Sequence, residues 1–206
     1  MHASKSKLRS AKLAFIILAG MMIGGNAFGF EWFGWLGGAK DLPLVSRGHS
    51  DYSIYFATNA PPSVKIAADE LQTHLKLTTG LTLPITNTPG HPMIALGNNP
   101  AASAAGIQTE ALPYETVRIV TKNGNLYLLG RDLPNDGVTI HGGHSFGTLY
   151  AVYEFIERVL GVRWLLPGER GAYNPSLGKE FKLGQLDITY TPPFSFRQFI
   201  PEYCTD

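Results

Sequence analysis

The chain has 206 residues, 44% hydrophobic and 16% charged, with a formal net charge of +1. That composition excludes a disordered tail, and the 23 glycines and 14 prolines follow no collagen-like period. No Lys/Arg-rich run provides the electrostatic footprint that nucleic-acid binding needs.

Lys5, Lys7, Arg9 and Lys12 precede the apolar run Leu13-Ala-Phe-Ile-Ile-Leu-Ala-Gly-Met-Met-Ile23, and small residues follow from Gly24 to Ala27. This pattern predicts a signal peptide over residues 1–27. The run is short for a membrane span, which needs about 20 residues. The expected location is therefore secreted, periplasmic or extracellular, with no membrane contact after cleavage. Without these four cations, 13 basic residues face 16 acidic ones, so the remaining chain carries −3. The single cysteine, Cys204, has no partner for an internal disulfide.

Residues 28–41 read as an aromatic and glycine-rich linker. Asp51-Tyr-Ser-Ile-Tyr-Phe56 alternates and predicts a first strand. Pro61-Pro62 opens a helix on which Val64, Ala67, Ala68, Leu71 and Leu75 form one apolar stripe, with Gly80 as its stop. Short strands are predicted at 81–85 and 93–97, joined to the next element by a small-residue and polar connection over 98–115. Asn123-Gly124 between two apolar runs, 116–121 and 125–130, predicts a hairpin.

A second helix is predicted over 147–160, with Ser145 as N-cap and Gly161 as terminator. Its charges fall in a narrow stripe of Glu154, Glu157 and Arg158, so apolar residues cover more than the face a single sheet requires. Either the helix is deeply buried within its own domain, or its second side meets another domain. A strand at 162–165 and an exit strand over 181–190 complete an α+β domain at 42–191, with a mixed β-sheet and two helices packed on one face. Residues 192–206 read as the truncated start of a further domain.

Two blocks carry a resemblance. They are Ala60-Pro-Pro-Ser-Val-Lys-Ile-Ala-Ala-Asp-Glu-Leu-Gln-Thr-His-Leu75 with Thr79-Gly80 and Leu83-Pro-Ile85, and Gly147-Thr-Leu-Tyr-Ala-Val-Tyr-Glu-Phe-Ile-Glu-Arg-Val-Leu-Gly-Val-Arg-Trp-Leu-Leu-Pro-Gly168. Both resemble the N-terminal domain found before the barrel of α-glucuronidases, β-N-acetylhexosaminidases and uncharacterised bacterial relatives. The resemblance implies a domain without catalytic residues of its own, packed through the 147–160 helix against a C-terminal (β/α)₈ barrel that hydrolyses glycosidic bonds. Phe194-Ser-Phe-Arg-Gln-Phe199 is similar to the first barrel strand of such hexosaminidases, which implies that Arg197 binds sugar hydroxyls. Gln198 stands where that family has glycine.

Other sites are better explained without chemistry. Glycoside hydrolysis needs two flanking carboxyl groups. Glu169, Glu202 and Asp206 lie in a loop and at the chain end, and read as solvated charges. His141 and His144 lack a nearby third ligand for a metal. Gly142, Gly143 and Gly147 match no phosphate-binding spacing, and Ser145 lacks the GxSxG context of a nucleophile. The expectation is thus no catalytic residue, metal or cofactor, and an accessory domain of a secreted glycoside-hydrolase-like protein acting in carbohydrate metabolism. The alternative is a stand-alone extracellular carbohydrate-binding or protein-interaction module.

Overall fold

A computed structural model describes residues 41–133, 146–168 and 171–193. Its framework is a six-stranded mixed sheet with layers on both faces. The strands are β2 (Ser53–Phe56), β3 (Ile85–Thr86), β4 (Met93–Leu96), β5 (Val117–Lys122), β6 (Asn125–Gly130) and β10 (Asp187–Tyr190), in the order β10-β5-β6-β4-β2-β3. The β6, β4, β2 and β3 strands run parallel, while β5 and β10 are antiparallel additions.

The alternation of side chains along these strands divides the core in two. Ile54, Ile94, Leu96, Ile119, Leu126 and Leu128 face one layer, built by α1 (Pro62–Thr79) and α3 (Gly147–Arg158). Tyr55, Met93, Ala95, Val120, Tyr127 and Leu129 face the other, closed by α2 (Pro100–Ala104) with Ala105 and Ile107. Both expected helices lie on one face. The third, α2, falls in the 98–115 connection, where five small residues give too little pattern to announce a helix. Asn99 caps it by accepting from the Ala102 N–H at 3.0 Å.

The expected stripe of α1 is buried in full, and the helix stops at Gly80 in the left-handed region, at φ 78. The hairpin turn has Asn123 at φ 52 and Gly124 at φ 77, the two positive values a type I′ turn requires. The strand predicted at 81–85 is reduced to Ile85–Thr86. Pro84 has no N–H to donate, although its carbonyl accepts from Ile54 N.

The predicted exit strand divides. Its first part, β9 (Phe181–Leu183), pairs antiparallel with β1 (Leu42–Val45), and its second part becomes β10. Gly184, Gln185 and Leu186 separate the two strands. A second small sheet joins β7 (Arg163–Trp164) to β8 (Ala172–Tyr173).

The second helix has two packing partners inside this domain. Its Ala151, Val152, Phe155 and Ile156 are buried, and the helix lies against both α1 and the β5–β6 strands. The wide apolar circumference is therefore met in part by α1. Its N-cap position is Phe146, which makes no side-chain cap bond. Asp132 acts instead: it accepts from Thr148 N at 2.9 Å and from the Thr148 hydroxyl, which itself accepts from Gly130 N at 3.3 Å. A carboxylate at a helix start satisfies a free donor and complements the dipole. Asp132→Ala is expected to lower stability by about 1–2 kcal/mol in urea titration, and Asp132→Asn by less.

Candidate functional site

Arg197, His141, His144, Ser145, Gly142, Gly143, Glu169, Glu202 and Asp206 all lie outside the described residues. Gly147 lies within them, and its missing side chain serves packing. Its backbone presses on Gly130, where an added β-carbon would sit 2.0 Å from the Gly147 carbonyl carbon. Among the described residues, no three His, Cys, Asp or Glu side chains gather as a metal site would require. No described helix is long and apolar enough to cross a membrane.

Two clefts open at opposite ends of the parallel strands. The first, about 560 Å³, lies at the amino ends of β2 and β4 beside the β5–β6 turn. Asp41, Asp51, His91 and Gln185 contribute polar groups to it. The phenol of Tyr52 donates to the Gly124 carbonyl at 3.0 Å, and burial pushes its pKa above the ordinary tyrosine value. His91 Nδ1 lies 3.1 Å from Asn125 Oδ1, which also accepts from Met93 N. The acceptor oxygen assigns the ring proton to Nδ1. Lys122 lines this cleft but donates to the Ala105 carbonyl at 2.6 Å.

The second cleft, about 390 Å³, lies at the carboxyl ends of β2 and β4. Thr58 and Asn59 reach it from the β2–α1 loop, Asn98, Asn99 and Ser103 from the β4–α2 segment, and Asn87 from beyond β3. The Asn99 amide holds the loop itself, donating to the Leu96 and Gly97 carbonyls at 3.1 and 2.9 Å. Sequence reasoning missed this cleft. Its one signal is an asparagine shortly after each of three short strands, and the significance depends on strand order.

A third feature is an exposed apolar ridge on and after β7. Trp164 is 45% exposed, Leu165 72%, Leu166 71% and Tyr173 58%. The Trp164 indole stands nearly perpendicular to the His74 and Tyr153 rings, at centroid distances of 5.5 and 5.8 Å. His74 in turn bonds Asn174 through Nδ1 at 3.1 Å. The ridge is thus anchored to α1 and α3. Burial, and secondarily the Glu70 charge, raise the pKa of the Tyr153 phenol.

No protein-family model matches the chain, and no curated protein matches it. Solved structures do, and those named here are glycoside hydrolases. A GH115 4-O-methyl-α-glucuronidase with specificity for decorated arabinogalactans is 22% identical, at a TM-score of 0.48, over 74% of this chain and 18% of that one. The GH20 β-N-acetylhexosaminidase of Streptomyces coelicolor A3(2) is 19% identical, at 0.45, over 78% of this chain and 25% of that one. A GH138 enzyme targeting pectin rhamnogalacturonan II is 20% identical, at 0.36, over 53% and 10%. The chain thus spans a quarter or less of the length of each of these enzymes.

Proposed function

We infer that this chain is a non-catalytic N-terminal accessory domain of a secreted glycoside-hydrolase-like protein, and that it supports a barrel domain. The observation that carries the reading is the apolar ridge at Trp164, Leu165, Leu166 and Tyr173. It grows out of the 147–168 segment, the more specific of the two blocks that resemble such accessory domains. The register sets Trp164 opposite Ala172 and Tyr173 opposite Arg163, so Trp164 and Tyr173 expose opposite faces of the β7–β8 pair, and exposed apolar side chains of this size mark a contact site. An indole in contact with two other aromatic rings is already ordered, so docking on it loses less side-chain entropy. The partner surface assigned to the second helix extends on this reading from its Tyr153 flank onto β7 and β8. Arg197 would then contribute to sugar binding within the barrel.

The test is hydrolysis of aryl α-glucuronides and aryl N-acetyl-β-glucosaminides by the purified chain. Rates indistinguishable from the enzyme-free reaction are expected. Sustained turnover above that rate would overturn the non-catalytic assignment.

A further inference from the structure

Strands β4 and β2 lie side by side and parallel, yet their carboxyl ends lead to opposite faces of the sheet. From β2 the chain passes through residues 57–59 into α1, whose Val64, Ala67 and Leu71 pack with Ile54 and Ile94. From β4 it passes through residues 97–99 into α2, whose Ala102 packs with Tyr55 and Ala95 on the reverse face. In open sheets such a divergence leaves a crevice beyond the strand ends, and small ligands bind there. Here the crevice is the 390 Å³ cleft, a volume near the lower end for small-molecule sites.

We propose that this cleft binds a small, neutral, polyhydroxylated ligand, a single sugar unit, through Asn59, Asn98 and Ser103. The lining contains no carboxylate, ammonium or guanidinium group. A charged ligand would therefore lose water without gaining a counter-charge. Hydrogen bonds already orient two of the amides. Asn87 Nδ2 donates to the Phe56 carbonyl at 3.0 Å, and Asn98 Nδ2 donates to the Glu110 carboxylate. Both amide oxygens are left to accept from a ligand.

Glu110 has its pKa lowered by its own backbone N–H and then by the Asn98 amide, so it remains charged and keeps that amide oriented. Its negative charge beside the cleft also disfavours an acidic sugar. The hydroxyls of Thr58 and Ser103 and the Asn59 amide supply both donors and acceptors. A hydroxyl-rich neutral ring fits this combination. The proposal does not draw on the accessory-domain reading. The cleft lies at the start of α1, about 18 Å along that helix from the His74 contact of the ridge.

The test is a ¹H–¹⁵N correlation titration of the full chain with glucose, xylose and N-acetylglucosamine, with glucuronate for comparison. At least one neutral sugar is expected to give saturable shifts centred on the amides of Asn59, Asn98 and Ser103. Asn59→Ala and Ser103→Ala should each weaken that binding about fivefold or more, and glucuronate should bind more weakly than the neutral sugar. Both positions are exposed, and the same spectra report whether each variant is folded. The proposal is overturned by no saturable shift with any of the three, by shifts centred on the His91–Asn123 cleft, by unchanged affinity in both variants, or by glucuronate binding as tightly.

Discussion

Replacing Gly130 with alanine is expected to lower the melting temperature by roughly 6–12 °C, the equivalent of about 3 kcal/mol in a domain of this size. The added β-carbon would lie 2.0 Å from the Gly147 carbonyl carbon and 2.3 Å from its Cα. Carbon atoms in contact sit about 3.5–4.0 Å apart, so β6 and α3 would have to separate by well over an ångström. The obstructing atoms are main chain, and no side-chain rotation relieves the clash. Gly147→Ala meets the same contact from the other side, 2.4 Å from Arg131 N.

Both substitutions open one gap, so the double variant should lose less than the sum of the two. Gly184→Ala, with nothing within 4 Å of its added β-carbon, serves as control and should stay within about 0.5 kcal/mol. Thermal melts followed by circular dichroism measure all four. An unchanged midpoint for Gly130→Ala would show that strand and helix do not touch there.

Phe155→Ala is expected to cost about 3–5 kcal/mol, a large share of the roughly 5–15 kcal/mol that holds a domain together. Phe155 is among the largest fully buried side chains and belongs to the core between the sheet and the α1 and α3 helices. Its removal leaves a cavity that three packed elements cannot close at once. Phe155→Leu retains most of the volume and should cost under about 1.5 kcal/mol. Urea titration distinguishes the two variants, with the slope unchanged if only native packing is affected. A loss below about 1 kcal/mol for the alanine variant would contradict the central position of α3.

The local parts of the fold could be read from the sequence. The spacing of Val64, Ala67, Leu71 and Leu75 defines a helix face, and Asn123-Gly124 carries the dihedral angles of its turn within its residue types. The helix at 147–158 was legible for the same reason, but the partner on its second side was not. That α1 supplies part of this contact depends on the crossing of two helices over one sheet. No residue pattern shows why 181–190 should serve two sheets, because β9 follows a partner 141 positions away.

The site was less legible than the fold. Asn59, Asn87 and Asn98 look like ordinary loop residues until the order β4-β2-β3 brings their loops together. Asp132 gave no signal as a cap either. It precedes α3 by 15 residues and reaches the helix only through the fold.

The pairing of β1 with β9 sets a limit on synthesis. Leu42 lies opposite Leu183, and Arg47 N donates to the Glu180 carboxylate at 2.7 Å. Until the ribosome has released residues through about 190, β1 lacks β9, its partner among the described residues, and β5 lacks β10 along one edge. Contacts this distant in sequence close late, because loop entropy must be overcome before they return any stability. The nascent helices and the Asn123-Gly124 hairpin can form early, but β1 must wait for β9, which follows it by about 140 positions.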